Sequence, residues 1–182
     1  MASCRLTNNI DFDCTSIMAG GLKTRVYIGT LDEIASYTYD ANGYIKSFTF
    51  TPTAGKGLYE VVSSKASHSA STDIARNEGG NPSHTHTVTL RVFEGNPDIT
   101  ERIEEMSKSD LFAIVETTDG DFRVYGLALG LNIASAPQDS GNVPSADVRR
   151  TIVLASEEPN APQWFFLTSY AVTKALLDSY LF

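Results

Sequence analysis

Cysteine is scarce in this 182-residue chain: Cys4 and Cys14 are the only two, at a spacing that matches no zinc or redox signature. A scaffold built on disulfides is excluded. The cytosolic reading keeps both thiols reduced and packed as small hydrophobes; the alternative is a bridge formed after release from a cell. Positive charge is also scarce, with 14 Lys and Arg against 22 Asp and Glu and a formal net charge of −8. The longest cationic stretch is the pair Arg149 and Arg150. A tight grip on a nucleic-acid backbone needs clustered cations and is therefore excluded. No run approaches the roughly 18 consecutive apolar residues of a membrane span, and Met1 to Ile10 lacks the basic-then-apolar layout of a signal peptide. No membrane insertion is expected, and the chain should be made in a cytosol.

What is present suffices for a core. With 42% hydrophobic and only 20% charged residues, the chain buries enough apolar surface to fold and is not of the disordered class. Its length predicts a single domain over residues 1–182, with an N-terminal arm over about 1–20 and a C-terminal extension over about 164–182.

Apolar residues recur mostly at period two, so β structure dominates. Lys23 to Gly29 and Ala35 to Tyr39 read as strands, and Tyr44 to Thr51 as a third. Asn42-Gly43 supplies the positive φ values that a tight hairpin needs, and Asp119-Gly120 does the same between LFAIVE (Leu111 to Glu116) and DFRVYGL (Asp121 to Leu127). Gly57 to Ser71 and the alternating run His84 to Phe93 predict a long hairpin with its tip near Asn77 to Ser83, too polar to lie wholly in a core. Asp98 followed by Glu101 has the form of a helix cap, and Ile99, Ile103 and Met106 make one apolar stripe. Ala134 to Ala146 reads as a loop, Asp147 to Ser156 and Trp164 to Leu167 as strands. Thr168 or Ser169 should cap a closing helix that carries Tyr170, Leu177 and Leu181. The expected fold is mainly β: a β-sandwich or barrel of about seven to nine antiparallel strands, with one flanking helix, a C-terminal helix and a long projecting hairpin.

The search for chemistry yields no catalytic, cofactor-binding or metal-binding assignment, and the chain is not expected to be an enzyme or to carry a cofactor. His84 and His86 share a strand face and have the spacing of two metal ligands, with His68 as the nearest candidate third; plain alternation explains the same spacing. Ser67-His68-Ser69 reads as a solvated loop without a rigid base or oxyanion donors. Gly55-Lys56-Gly57 lacks the rest of a phosphate loop and reads as a turn. Asp11 and Asp13 lack the further ligands of a calcium loop. Asp32/Glu33, Glu104/Glu105 and Glu157/Glu158 are adjacent in sequence; on a strand such neighbours face opposite ways, and on a helix a charged face such as that of Glu104/Glu105 is solvated.

The stretch His84 to Phe93, the helix Asp98 to Lys108, the run LFAIVETTDGDFRVYGLALGLN (Leu111 to Asn132), the polar loop with Asp139-Ser140-Gly141 and the strand RRTIVLASEEPNAP (Arg149 to Pro162) follow one another in an order that resembles bacteriophage tail-tube and tail-ring proteins, especially those of phages of gut Bacteroidetes. Through them it resembles in fold the tubes of type VI secretion and contractile injection systems. The resemblance spans about residues 20–165 and implies a structural virion subunit, assembled in the host bacterial cytoplasm. Such a subunit closes into rings (hexamer or dodecamer), meets other tail or portal-proximal proteins, and lets DNA pass without binding it. Pro52 to Ser83 should make most contacts between copies. Lys23, Arg25, Arg91, Arg123, Arg149 and Arg150 should pair with acids at subunit junctions. A ring of six at −8 each would carry −48, which repels phosphate. The alternatives are a capsid-decoration or carbohydrate-binding β-sandwich with an aromatic cleft drawn from Tyr37, Tyr39, Tyr44 or Trp164, and a metal-dependent hydrolase using His84 and His86.

Overall fold

The computed structural model describes residues 20–51, 57–63, 67–76, 81–93, 97–137 and 149–182. In chain order these form β1 (Leu22–Thr30), a 3-10 turn (Leu31–Glu33), β2 (Ile34–Tyr39), β3 (Ile45–Phe50), β4 (Tyr59–Val62), β5 (Ser69–Arg76) and β6 (Pro82–Phe93). Then come α1 (Pro97–Met106), β7 (Leu111–Thr117), β8 (Phe122–Tyr125), β9 (Asn132–Ser135), β10 (Arg149–Glu158), β11 (Gln163–Phe165) and α2 (Tyr170–Ser179). The strands make two sheets, a seven-stranded one in the order β2-β3-β11-β8-β7-β1-β4 and a four-stranded one in the order β5-β6-β10-β9.

The larger sheet is the middle layer, because its central strands bury both faces. On β7, Phe112 and Ile114 point to a core roofed by Leu177 and Tyr180, while Leu111, Ala113 and Val115 point to a second core shared with the smaller sheet. On β1, Tyr27 joins the first core and Val26 and Ile28 the second. A strand covered on both sides reads as a continuous apolar run, which is why LFAIVE does not alternate. In the smaller sheet Val88, Leu90, Ile152 and Leu154 face inward and are buried. Leu131 and Leu111 exchange both backbone hydrogen bonds, at 3.0 and 2.6 Å, and tie the two sheets together.

The fold is an open sandwich and not a closed barrel, with eleven strands among the described residues. Two pairings among the described residues depart from the antiparallel expectation: β11 runs parallel to β3, while it lies antiparallel to β8, and Leu58 bridges Leu181 in parallel. Residues 164–182 supply Trp164 and Phe165 of this inner strand, together with α2 over the first core.

The two tight hairpins form as expected. Gly43 takes φ +82° and Gly120 φ +90°, and Asp40 Oδ1 accepts from the backbone of both Asn42 and Tyr44 at 2.8 Å. The stripe of α1 turns inward at Ile103, with Ile99 and Met106 half-buried. Its start differs from expectation: the helix begins at Pro97, a residue suited to the first helical position, so Asp98 lies within the first turn. Ser169 does cap α2, its side chain accepting from the Val172 amide.

The long hairpin needs a larger correction. Leu58 to Val62 does not run into it; β4 pairs with β1 in the larger sheet, and only β5 pairs with β6. Period two fixes which face is buried but not which strand lies alongside. Ala134 and Ser135, expected in a loop, belong to β9. The remainder of that loop from residue 138, the hairpin tip at 77–80, Cys4, Cys14, Asp11 and Asp13 lie outside the described residues.

Candidate functional site

The outer face of the smaller sheet is built by alternation. Because Val88 and Leu90 turn inward, Thr85, Thr87, Thr89 and Arg91 turn outward. Register sets these in cross-strand rows, Ser69–Thr89–Val153, Ser71–Thr87–Ala155 and Asp73–Thr85–Glu157. Small hydroxylated and β-branched side chains pack well on a pleated surface. Arg91 is the one cation on this face whose side chain is described, against the acids Asp73 and Glu157.

The smaller sheet ends in β5 and β9, the larger in β2 and β4. An edge presents a row of backbone donors and acceptors that another chain can pair with. Soluble monomers usually blunt it with Lys, Pro or a short strand. β5 has none of these: it spans 8 residues, SASTDIAR, without Lys or Pro. β2 is similar, with the sequence IASYTY, and exposes Tyr37 and Tyr39.

His84 and His86 share the inner face of β6, as the spacing requires, and stand opposite Glu158 and Ser156 of β10. They do not meet His68. His86 is buried; its Nδ1 accepts the Gly126 amide at 3.2 Å and its ring meets Tyr125 edge-on at 5.3 Å. Burial pushes its pKa down, opposed by the nearby Glu158 carboxylate. That carboxylate is itself committed, accepting from the amides of Ala128 and Leu129 at 3.1 and 3.0 Å. His68 Nδ1 accepts the Arg91 amide at 3.4 Å, and burial lowers its pKa too. Among the described residues no group of three or more His, Cys, Asp or Glu is placed to hold a metal ion. The solvated-loop expectation for Ser67-His68-Ser69 is overturned. Ser67 and His68 are buried, Ser67 Oγ donates to Ser63 Oγ at 2.7 Å, and Ser69 opens β5.

Of Gly55-Lys56-Gly57 only Gly57 is described. It is a packing residue: a Cβ there would strike the Phe50 ring, and its amide donates to the Tyr180 carbonyl at 3.0 Å.

The four aromatics do not form one cleft. Tyr37 and Tyr39 pair edge-on at 5.4 Å; Tyr44 and Trp164 pair at 6.3 Å. Tyr39 stands opposite Ile45 in register, on the face that also carries Phe165, so Trp164 next to Phe165 points the other way. The Arg123 guanidinium covers the Trp164 ring at 4.5 Å, occupying the face a sugar would stack on.

The cations expected at junctions are largely used inside the chain. Lys23 pairs with the buried Glu116, which also accepts from the Tyr170 hydroxyl at 2.6 Å. Arg25 pairs with Glu60 and Asp178 at 3.1 and 3.0 Å. Asp178 further accepts from Tyr27 and Lys174, both at 2.7 Å. Burial opposes ionisation of Asp178, but the bonds from Lys174 and Tyr27 prevail and hold its pKa below the usual range. Arg150 Nε donates to the Ala136 carbonyl at 3.2 Å. These contacts clamp α2 and the chain around β10 in place. Glu158 entered the sequence reading only as one of an adjacent acidic pair, and Glu116 did not enter it as a site; the one available signal for Glu116 was a carboxylate ending an apolar run.

Comparison with protein-family models, with curated proteins and with solved structures finds no match. The fold defines a mainly β, two-sheet sandwich flanked by two helices. Among the described residues no helix is long and apolar enough to cross a membrane.

Proposed function

We propose that the chain is a structural subunit that assembles with copies of itself into rings of a phage tail, through which DNA passes without being held. The observation that carries the reading is the edge of β5, eight residues without Lys or Pro that pair with no other described strand on that side, at the rim of a sheet whose described outer face carries one Arg and two acids. An edge of that kind invites strand pairing. In the ring, β5 of one copy lies beside β9 of the next, and the Thr-rich outer faces of the smaller sheets join to line the bore.

Charge supports the same arrangement. The described part of that face offers phosphate one Arg and two acids, and the whole subunit carries −8, so a passing polyanion meets no cluster of cations to displace its counterions. Resemblance in the order of elements, from β6 to β10, supports the tail assignment. Negative-stain imaging of the purified chain tests the reading: rings or short tubes with a central hole are expected, and dispersed particles of about 20 kDa at all concentrations, the 19.8 kDa of a single chain, would overturn it.

A further inference from the structure

The two ends of the smaller sheet differ in a complementary way. Ile74 on β5 is 71% exposed, although it stands beside His84 on the face where Val88 and Leu90 are fully buried. Arg76 shares that face and is exposed as well. This end of the hairpin overhangs the body and presents an apolar side chain next to a cation.

At the opposite end, α1 stands off from the sheets and leaves a cleft of about 810 Å³. Val61 and Val92 on the sheets and Ile99 and Met106 on α1 give it a half-buried apolar lining, over the fully buried Leu90 and Ile152. Among the described residues its rim is acidic, with Asp98, Glu101 and Glu105, and Glu60 in its pair with Arg25, against one base, Arg102. Val92 lies eight positions beyond His84 along β6, roughly 27 Å at the rise of a strand, so the overhang cannot fill the cleft of its own chain.

We infer that the end of β5 in one copy docks in the α1 cleft of the next copy, Ile74 meeting the half-buried Val92, Ile99 and Met106 and Arg76 meeting the acidic rim. The inference rests on the self-assembly reading and names one of its contacts. A knob and a socket on different parts of one molecule make a head-to-tail contact, which closes into a ring when the rotation permits and otherwise runs on as a filament. A two-strand end covers on the order of a few hundred Å², less than the roughly 1,000 Å² of a stable interface, so this contact adds to edge pairing and does not replace it.

The test is site-directed cross-linking of the full chain. Ile74→Cys and Met106→Cys are combined in a background of Cys4→Ser and Cys14→Ser, oxidised mildly and separated without reductant. Each copy then has one knob thiol and one socket thiol, and a ladder of dimers, trimers and larger species is expected, with mixed single variants stopping at dimers. Rings by imaging without a ladder would refute the docking and leave the assembly reading intact, and a cleft that serves another ligand gives this same result. A ladder without rings keeps the docking and removes the ring. The absence of both removes both. Arg76→Glu should lower the assembled fraction at least tenfold, and Glu101→Arg with Glu105→Arg should restore it; loss without rescue, in a variant whose circular dichroism matches wild type, contradicts the charge pairing.

Discussion

Phe165→Ala examines whether a three-residue strand near the end of the chain holds the larger sheet together. Phe165 is fully buried, stacks on Phe48 at 5.5 Å with planes 4° apart, and its backbone joins β8 on one side and β3 on the other. Removing a buried aromatic ring costs about 3–5 kcal/mol in lost transfer energy and residual cavity. The upper half of that range applies, because Ile45 and Phe122 beside it are pinned by their own strands and cannot collapse into the hole. Against a total stability of roughly 5–15 kcal/mol, and at about 2–4 °C per kcal/mol for a chain of this size, the melting temperature should fall by about 8–20 °C. Phe182→Ala is the control: that ring is 52% exposed and stacks on Tyr59 at 4.8 Å, so its loss should cost under about 1 kcal/mol. Urea unfolding followed by circular dichroism reads both. If Phe165→Ala stays within about 0.5 kcal/mol of wild type, the size of an ordinary surface substitution, β11 does not carry the sheet and the placement of the C-terminal segment is wrong.

Three further outcomes follow from buried polar groups and one turn. Lys23→Met leaves Glu116, with a side chain only 3% exposed, to the Tyr170 hydroxyl alone; because Lys23 is itself 37% exposed and screened, the cost should be about 1–2 kcal/mol in urea unfolding. Adding Glu116→Gln should recover part of it, and a neutral Lys23→Met would contradict the buried pair. His68 and His86 have native pKa values lowered by burial, so the folded state favours their neutral forms. Stability should be level above about pH 6.5, the unfolded histidine value, and decline as pH falls below it towards the native values. Replacing both by Gln should remove that decline while leaving a later loss below about pH 4, where the unfolded carboxylates take up protons ahead of Asp178. An unchanged urea midpoint from pH 8 to 5 in wild type would contradict the first step. Gly126 has φ +72° and a Cβ there would strike Leu131, so Gly126→Ala should cost about 2 kcal/mol or more, read by thermal unfolding.

Much of the fold was legible because each local signal has a single physical meaning. Asn42-Gly43 and Asp119-Gly120 supply positive φ, the spacing of Ile99, Ile103 and Met106 admits only a helix with one buried side, and Ser169 is a hydroxyl at a helix start. Strand partnership was not legible, since the short apolar run Leu58 to Val62 reads the same whether β4 lies beside β1 or in the hairpin. The burial of His68, Glu116 and Glu158 was hidden for a different reason: each is polar by composition and gains a partner distant in sequence, Arg91 for His68, Lys23 for Glu116 and the Ala128 and Leu129 amides for Glu158. The α1 cleft and the overhang of Ile74 arise from where two sheets stop relative to each other, which no local pattern encodes.

The most direct measurement is a cryo-EM map of the assembled chain at side-chain detail. Closed rings are expected, in which β5 of each copy abuts β9 of its neighbour and Thr85, Thr87 and Thr89 point at the axis. A ring whose hole is lined by α2 or by stacked arginines, or particles that never pair through the smaller sheet, would contradict this arrangement.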